Sequence, residues 1–124
     1  MKIRKTLKRK DNQKGFTLVE LIVVMAILVI IGAIAVPRYQ ATLAKAKGQA
    51  NEANIIMIEK AAELAVFNGD VSPGDEGIMG ALEDKGYIDQ GLTNPVNGDP
   101  YIVTITKEVD KLIIEVKSDE EQGQ

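Results

Sequence analysis

Apolar and polar positions follow three patterns in turn along the chain. From Leu21 to Val36 there is no charged or strongly polar side chain, and with the apolar residues just before it this run approaches the roughly 20 residues that a membrane-spanning helix needs. From Arg38 to Phe67, apolar residues recur every three or four positions, the spacing of an amphipathic helix. Tyr101 to Thr106 and Leu112 to Lys117 alternate between apolar and polar, as the strands of a half-buried hairpin do. The pattern predicts an α+β fold: a long N-terminal helix, membrane-spanning in its first half and amphipathic in its second, packed against a small antiparallel β-hairpin or sheet.

These patterns divide the chain into four segments. Residues 1–15 form a basic leader that we expect to be removed, 16–37 the membrane-spanning and assembly half of the helix, 38–68 its amphipathic half, and 69–124 a small globular head with a C-terminal hairpin. Gly69 is predicted to end the long helix, because glycine readily takes the left-handed conformation that terminates helices. Asp75 is predicted to cap a short second helix that runs through Lys85.

The amphipathic half of the helix carries two apolar stripes, separated by roughly a third of a turn. The first consists of Tyr39, Leu43, Ala46, Ala50, Ala53, Met57, Ala61, Leu64 and Phe67; the second consists of Ile55, Ile58, Ala62 and Ala65. One stripe can hold the head while the other contacts neighbouring helices, or both can form a single broad core face. The sequence leaves both interpretations open.

The flank of the first segment predicts its orientation. Seven cations and one anion precede Phe16, a net charge of +6, whereas residues 16–124 carry eight cations and seventeen anions, a net charge of −9. Basic flanks stay in the cytoplasm, so the remainder of the chain is expected to cross the membrane. One carboxylate, that of Glu20, lies at the start of the apolar run, where an acid costs on the order of 3 kcal/mol and indicates a function.

The string KGFTLVE, followed by the apolar run and Pro37, resembles the N-terminus of a type IV prepilin or pseudopilin. The resemblance covers residues 14–37. It implies that a prepilin peptidase cuts between Gly15 and Phe16, that Phe16 is then N-methylated, and that Phe16 and Glu20 take part in subunit assembly. It also implies a homo-oligomeric helical filament, an inner-membrane assembly platform, and a single-pass protein in the inner membrane, in contact with lipid, before it enters an extracellular or envelope-spanning filament.

Two features of this segment have alternative interpretations. Cleavage would leave a charged α-amino group at Phe16, with which the Glu20 carboxylate can pair either in a neighbouring subunit, as the resemblance implies, or in its own chain. Gly32 and Pro37 weaken the helix, since proline removes a backbone donor and clashes with the preceding turn. In related filaments the helix melts locally here, whereas a gentle kink would also account for the proline.

Composition limits the chemistry of the chain. It contains neither cysteine nor histidine, which excludes disulfides and the usual thiol, imidazole and zinc chemistry. No catalytic motif is present, so no enzymatic activity is predicted, and the acidic exported part argues against direct nucleic-acid binding. Asn94, Asn97 and Asp99 offer oxygen ligands in a region where some secretion pseudopilins bind calcium, but no spacing matches a calcium loop. Asx turns also explain these residues, and no cofactor or metal is predicted.

The main functional prediction is therefore a structural subunit of a type IV pilus-like filament. A major pseudopilin of a type II secretion or DNA-uptake system is the alternative within the same class. A soluble binding domain, released by signal peptidase after Ala35, is the alternative from another class.

Overall fold

Residues 15–118 are described by a computed structural model of the chain. They form helix α1 (Leu18–Asn68), helix α2 (Ile78–Asp84), strand β1 (Tyr101–Glu108) and strand β2 (Lys111–Ser118). The predicted α+β class, with one long helix and one antiparallel hairpin, is confirmed. Most of the predicted leader, and the last six residues of the predicted head, lie outside the described residues.

The described residues belong to two compact units, one ending at Tyr39 and one beginning at Gln40. In the first unit every apolar side chain of α1 is exposed, and only Gly32 is partly covered. The helix is long and apolar enough near its N-terminus to cross a membrane, and none of that stretch is buried inside the protein. This exposed stretch is unlike a buried core helix, and a contiguous apolar surface of this size marks a site of contact with a membrane or another protein.

In the second unit, one of the two predicted stripes holds the head. Ile58, Ala62 and Ala65 are fully buried and Ile55 is partly buried, whereas Ala61 is the only buried member of the other stripe. The core that they join draws on both helices, both strands and the loops between them: Ile58, Ala61, Ala62, Ala65, Val71, Ile78, Leu82, Ile88, Tyr101, Val103, Ile105 and Val116. Apart from Ala61, the first stripe therefore lies outside the core, and the two stripes do not form a single broad core face.

Both helices end in the same way. At the end of α1, Gly69 N–H donates to the Val66 carbonyl and Asp70 N–H to the Ala65 carbonyl, with Gly69 at φ 78°. This pair of bonds is the Schellman motif, which satisfies carbonyls that the helix leaves without donors. The predicted end at Gly69 is confirmed, and Gly86 ends α2 with the same pair of bonds.

The start of α2 differs from the prediction. Gly77, not Asp75, occupies the N-cap position, and no side chain caps the helix. The Asp75 carboxylate instead accepts the Ser72 N–H at 2.7 Å, while Asp75 N–H donates to the Ser72 carbonyl. Asp75 closes the turn before α2, because its side chain bonds more readily to its own loop than to a helix that begins three residues later.

The hairpin is longer than its alternation pattern predicted. The pairs run from Tyr101↔Ser118 to Glu108↔Lys111, which leaves a two-residue turn at Val109 and Asp110 instead of the predicted connection from Lys107 to Lys111. Along β1, Tyr101, Val103 and Ile105 are buried, as the alternation predicted. Gly74 N–H donates to the Ile105 carbonyl at 3.0 Å, so part of the outer edge of β1 is covered by the loop before α2.

Candidate site at the N-terminus of the long helix

The predicted cleavage junction lies outside helix α1. Gly15, Phe16 and Thr17 are non-helical and exposed, and the helix begins at Leu18, two residues later than predicted. A Cβ atom at Gly15 would meet no other atom within 4 Å, and Gly15 is not in the left-handed region. Packing within the chain therefore does not require glycine at this position, and cleavage after Gly15 stays a prediction.

A capping box determines where the helix begins. The Glu20 N–H donates to Thr17 Oγ1 at 3.3 Å, and the Thr17 N–H donates to Glu20 Oε2 at 3.1 Å. Leu21 N–H then makes the first helical bond to the Thr17 carbonyl. The reciprocal pair satisfies two of the N–H groups that a helix leaves without acceptors at its N-terminus. The Glu20 charge also lies at the positive end of the helix dipole.

Glu20 therefore has a partner that the sequence analysis missed. The signal was present, since Thr17-Leu18-Val19-Glu20 has the threonine-to-glutamate spacing of a capping box. In the full-length chain the Phe16 nitrogen belongs to the peptide bond with Gly15, so Phe16 offers Glu20 no charged amine. Its pairing with the Phe16 amine, in its own chain or in a neighbour, stays a prediction.

The side chains of Phe16 and Glu20 lie on the same side of the helix start. Together with Leu21 and Val24 they line a shallow open groove. Phe16 occupies the position just before the N-cap. An apolar residue there commonly packs against the fourth residue of the helix, here Leu21, yet Phe16 is 87% exposed. The structure thus brings together the two residues that the sequence predicted to act in assembly.

Gly32 and Pro37 lie inside α1, which is helical without interruption from Leu18 to Asn68. Pro37 has no N–H for the Ala33 carbonyl, so one helical bond is missing at this point. A Cβ atom at Gly32 would meet nothing within 4 Å, which means that packing within the chain does not select glycine there. Melting of this segment upon assembly stays a prediction.

Asx turns close the loop that contains Asn94, Asn97 and Asp99, the residues considered above as calcium ligands. Asn94 Oδ1 accepts the Val96 N–H at 2.9 Å, and Asn97 Oδ1 accepts the Asp99 N–H at 3.0 Å. Asp99 Oδ2 is buried without a hydrogen-bond partner. Within residues 15–118, no three acidic side chains gather as a metal site would require. Calcium binding by this loop remains untested.

Two groups of polar contacts hold the head together. The buried Tyr101 hydroxyl donates to Asn51 Oδ1 at 2.6 Å and accepts from Asn54 Nδ2 at 3.4 Å, which ties β1 to α1. The Tyr87 hydroxyl donates to Asp70 Oδ2 at 2.5 Å, and Lys85 Nζ lies 3.4 Å from Asp70 Oδ1. The hydrogen bond from Tyr87, supported by the Lys85 charge, lowers the pKa of Asp70 below its ordinary value of 3.8.

Comparison with known proteins places these features in context. The family model described as "Prokaryotic N-terminal methylation motif" matches residues 10–36. A fimbrial protein of Moraxella nonliquefaciens is 33% identical over an aligned length of 130 positions, and the alignment covers 91% of this chain and 82% of that protein. The type II secretion system core protein G of Aeromonas hydrophila is 30% identical over 101 residues, covering 75% of this chain and 71% of that protein.

A second kind of relative matches over a shorter length. A fimbrial protein of Pseudomonas aeruginosa is 42% identical over 57 residues, which cover 46% of this chain but only 37% of that protein. This chain therefore spans little more than a third of that relative. No solved structure gives a significant match.

Proposed function

The chain belongs to the type IV pilin family, and from this premise we propose that it is a structural subunit that polymerises through its N-terminal helix into a pilus-like filament. The observation that supports the proposal is the apolar N-terminal stretch of α1, none of which is buried in its own chain and much of which lies within residues 10–36, the part matched by the methylation-motif model. Burying a large apolar side chain contributes about 1.5–3 kcal/mol. Side chains such as Ile22, Val23 and Leu28, all at least half exposed, therefore favour first a bilayer and then the helices of other copies.

In the proposed pathway the chain is first a single-pass protein of the inner membrane. A prepilin peptidase removes residues 1–15, the new terminus at Phe16 is methylated, and an assembly platform moves the subunit into the filament. The filament then lies outside the cell or spans the envelope. This role requires no catalytic group of the chain itself, so we propose that it is not an enzyme.

A second candidate is the major pseudopilin of a secretion system, favoured by the Aeromonas hydrophila relative, which covers most of both chains. Both candidates share cleavage, methylation and assembly, and they differ in where the filament ends. Imaging of sheared cell surfaces separates them: long surface fibres indicate a pilus, and their absence with loss of protein secretion upon deletion indicates a pseudopilus.

The mature N-terminus tests the proposal against release after Ala35. We expect a chain that begins at Phe16 and carries one added methyl group, measured by intact mass and N-terminal sequencing. A chain that begins at Val36 would overturn the proposal. Gly15→Ala tests the need for glycine before the cleaved bond: because the Cβ atom meets nothing in the chain, the variant should fold normally and remain uncut. A mature chain of wild-type mass from this variant would contradict a requirement for glycine at this position.

A further inference from the structure

We propose that Thr17 is a positioning residue for the cleavage of the Gly15–Phe16 bond, because its capping box with Glu20 keeps that bond outside the helix. The inference rests on the proposed function and adds to it. It assigns a role to Thr17, whose side chain belongs neither to the bond that is cut nor to the ion pair predicted between Phe16 and Glu20.

Phe16 itself gives the helix no reason to stop at Leu18. Phe16 is apolar and continues the membrane-spanning run, and in a bilayer each backbone group must find a partner within the segment. One more helical turn towards the N-terminus would move the free N–H groups one turn earlier and give acceptors to those at the present helix start. The contacts between Thr17 and Glu20 satisfy two of them without that turn, at 3.3 and 3.1 Å.

An extension of the helix would hide the bond that is to be cut. In an α-helix the Gly15 carbonyl would accept the N–H of Val19, four residues on, and would no longer be available to a peptidase that must bind and polarise it. In the observed structure Gly15 and Phe16 are non-helical and exposed. The capping box therefore keeps the Gly15–Phe16 bond non-helical and exposed, which is the form that a peptidase can bind.

The two hydrogen bonds of the capping box contribute differently to keeping the Gly15–Phe16 bond outside the helix. The Thr17 hydroxyl caps the helix directly by accepting the Glu20 backbone N–H, which any residue at position 20 other than proline would supply. The Glu20 carboxylate makes the return bond. A Glu20 variant that loses only its side chain therefore keeps the primary cap and should still be cut.

The test uses the full-length chain in membranes that contain the prepilin peptidase. Thr17→Val keeps the shape of the side chain but removes the hydroxyl, whereas Thr17→Ser keeps the hydroxyl. We expect Thr17→Val to lower kcat/KM for cleavage by about 2- to 30-fold, the range that loss of an N-cap implies. Thr17→Ser should be cut at nearly the wild-type rate, as should Thr42→Val, the same change elsewhere in α1.

A second measurement separates positioning from direct recognition of the hydroxyl by the peptidase. Backbone carbon chemical shifts of Phe16 in the uncut chain should be non-helical in the wild type and in Thr17→Ser, and helical in Thr17→Val. Slower cutting with unchanged shifts would overturn the inference, and so would cutting of Thr17→Val at the wild-type rate. A wild-type chain that is not cut after Gly15 would overturn the proposed function itself, and the inference with it.

Discussion

Two substitutions separate the effect of the Glu20 charge from the effect of its hydrogen bond. Glu20→Gln keeps an oxygen that can accept the Thr17 N–H, as Glu20 Oε2 does at 3.1 Å, and glutamine is itself a regular member of capping boxes. Glu20→Ala removes both the charge and the acceptor. The loss of this one net hydrogen bond costs about 1 kcal/mol.

The expected effect of the charge is larger. If the Glu20 carboxylate neutralises an amine at Phe16 inside the filament, its removal leaves a buried cation without a partner, which costs about 3–5 kcal/mol. At 1.4 kcal/mol for each factor of ten, this corresponds to about a 10²- to 10⁴-fold loss in subunit association. Both variants should then form few filaments. If capping alone matters, Glu20→Gln should assemble like the wild type, and Glu20→Ala should lose only about fivefold.

The assay measures cleavage by the mobility of the cell-associated chain and assembly by the yield of sheared filaments. Both variants should be cut and remain in the membrane, since the Thr17 hydroxyl still caps the helix. The control is Glu52→Gln, which removes an exposed carboxylate from the same helix and should leave the filament yield unchanged. Wild-type filament abundance from Glu20→Gln would refute charge pairing.

Three further predictions concern the rest of the chain. Pro37→Ala should stabilise α1 locally by up to about 3 kcal/mol and, if the helix must melt upon assembly, reduce filament yield without affecting cleavage; unchanged yield would contradict melting. Tyr101→Phe should destabilise the head by about 1–2 kcal/mol, or about 4–8 °C in Tm for each kcal/mol, and a double-mutant cycle with Asn51→Ala should show coupling, whereas additive effects would argue against the hydrogen bond. The low pKa of Asp70, caused first by Tyr87, contributes stability that is fully present above pH 3.8 and is lost as the pH falls through the lower folded value. Asp70→Asn should abolish this part of the acid dependence in thermal melts, and an unchanged pH profile would contradict it.

Much of the functional site could be predicted from local sequence. The apolar run determines an exposed apolar helix, long enough to cross a membrane, because no polar side chain interrupts it from Leu21 to Val36. The stop at Gly69 is equally local. The capping box at Thr17 and Glu20 is local as well, since it depends only on the spacing of a threonine and a glutamate three residues apart.

Only the tertiary structure decided which face of the amphipathic half belongs to the head. Both stripes have helical spacing and contain alanines, so their sequence alone does not separate them. The head packs on Ile58, Ala62 and Ala65, where the small alanine side chains let the other elements approach closely, and leaves Phe67 88% exposed. The bond from Tyr101 to Asn51 joins residues 50 positions apart. Contacts of this kind depend on how the chain folds back on itself, and no local pattern encodes them.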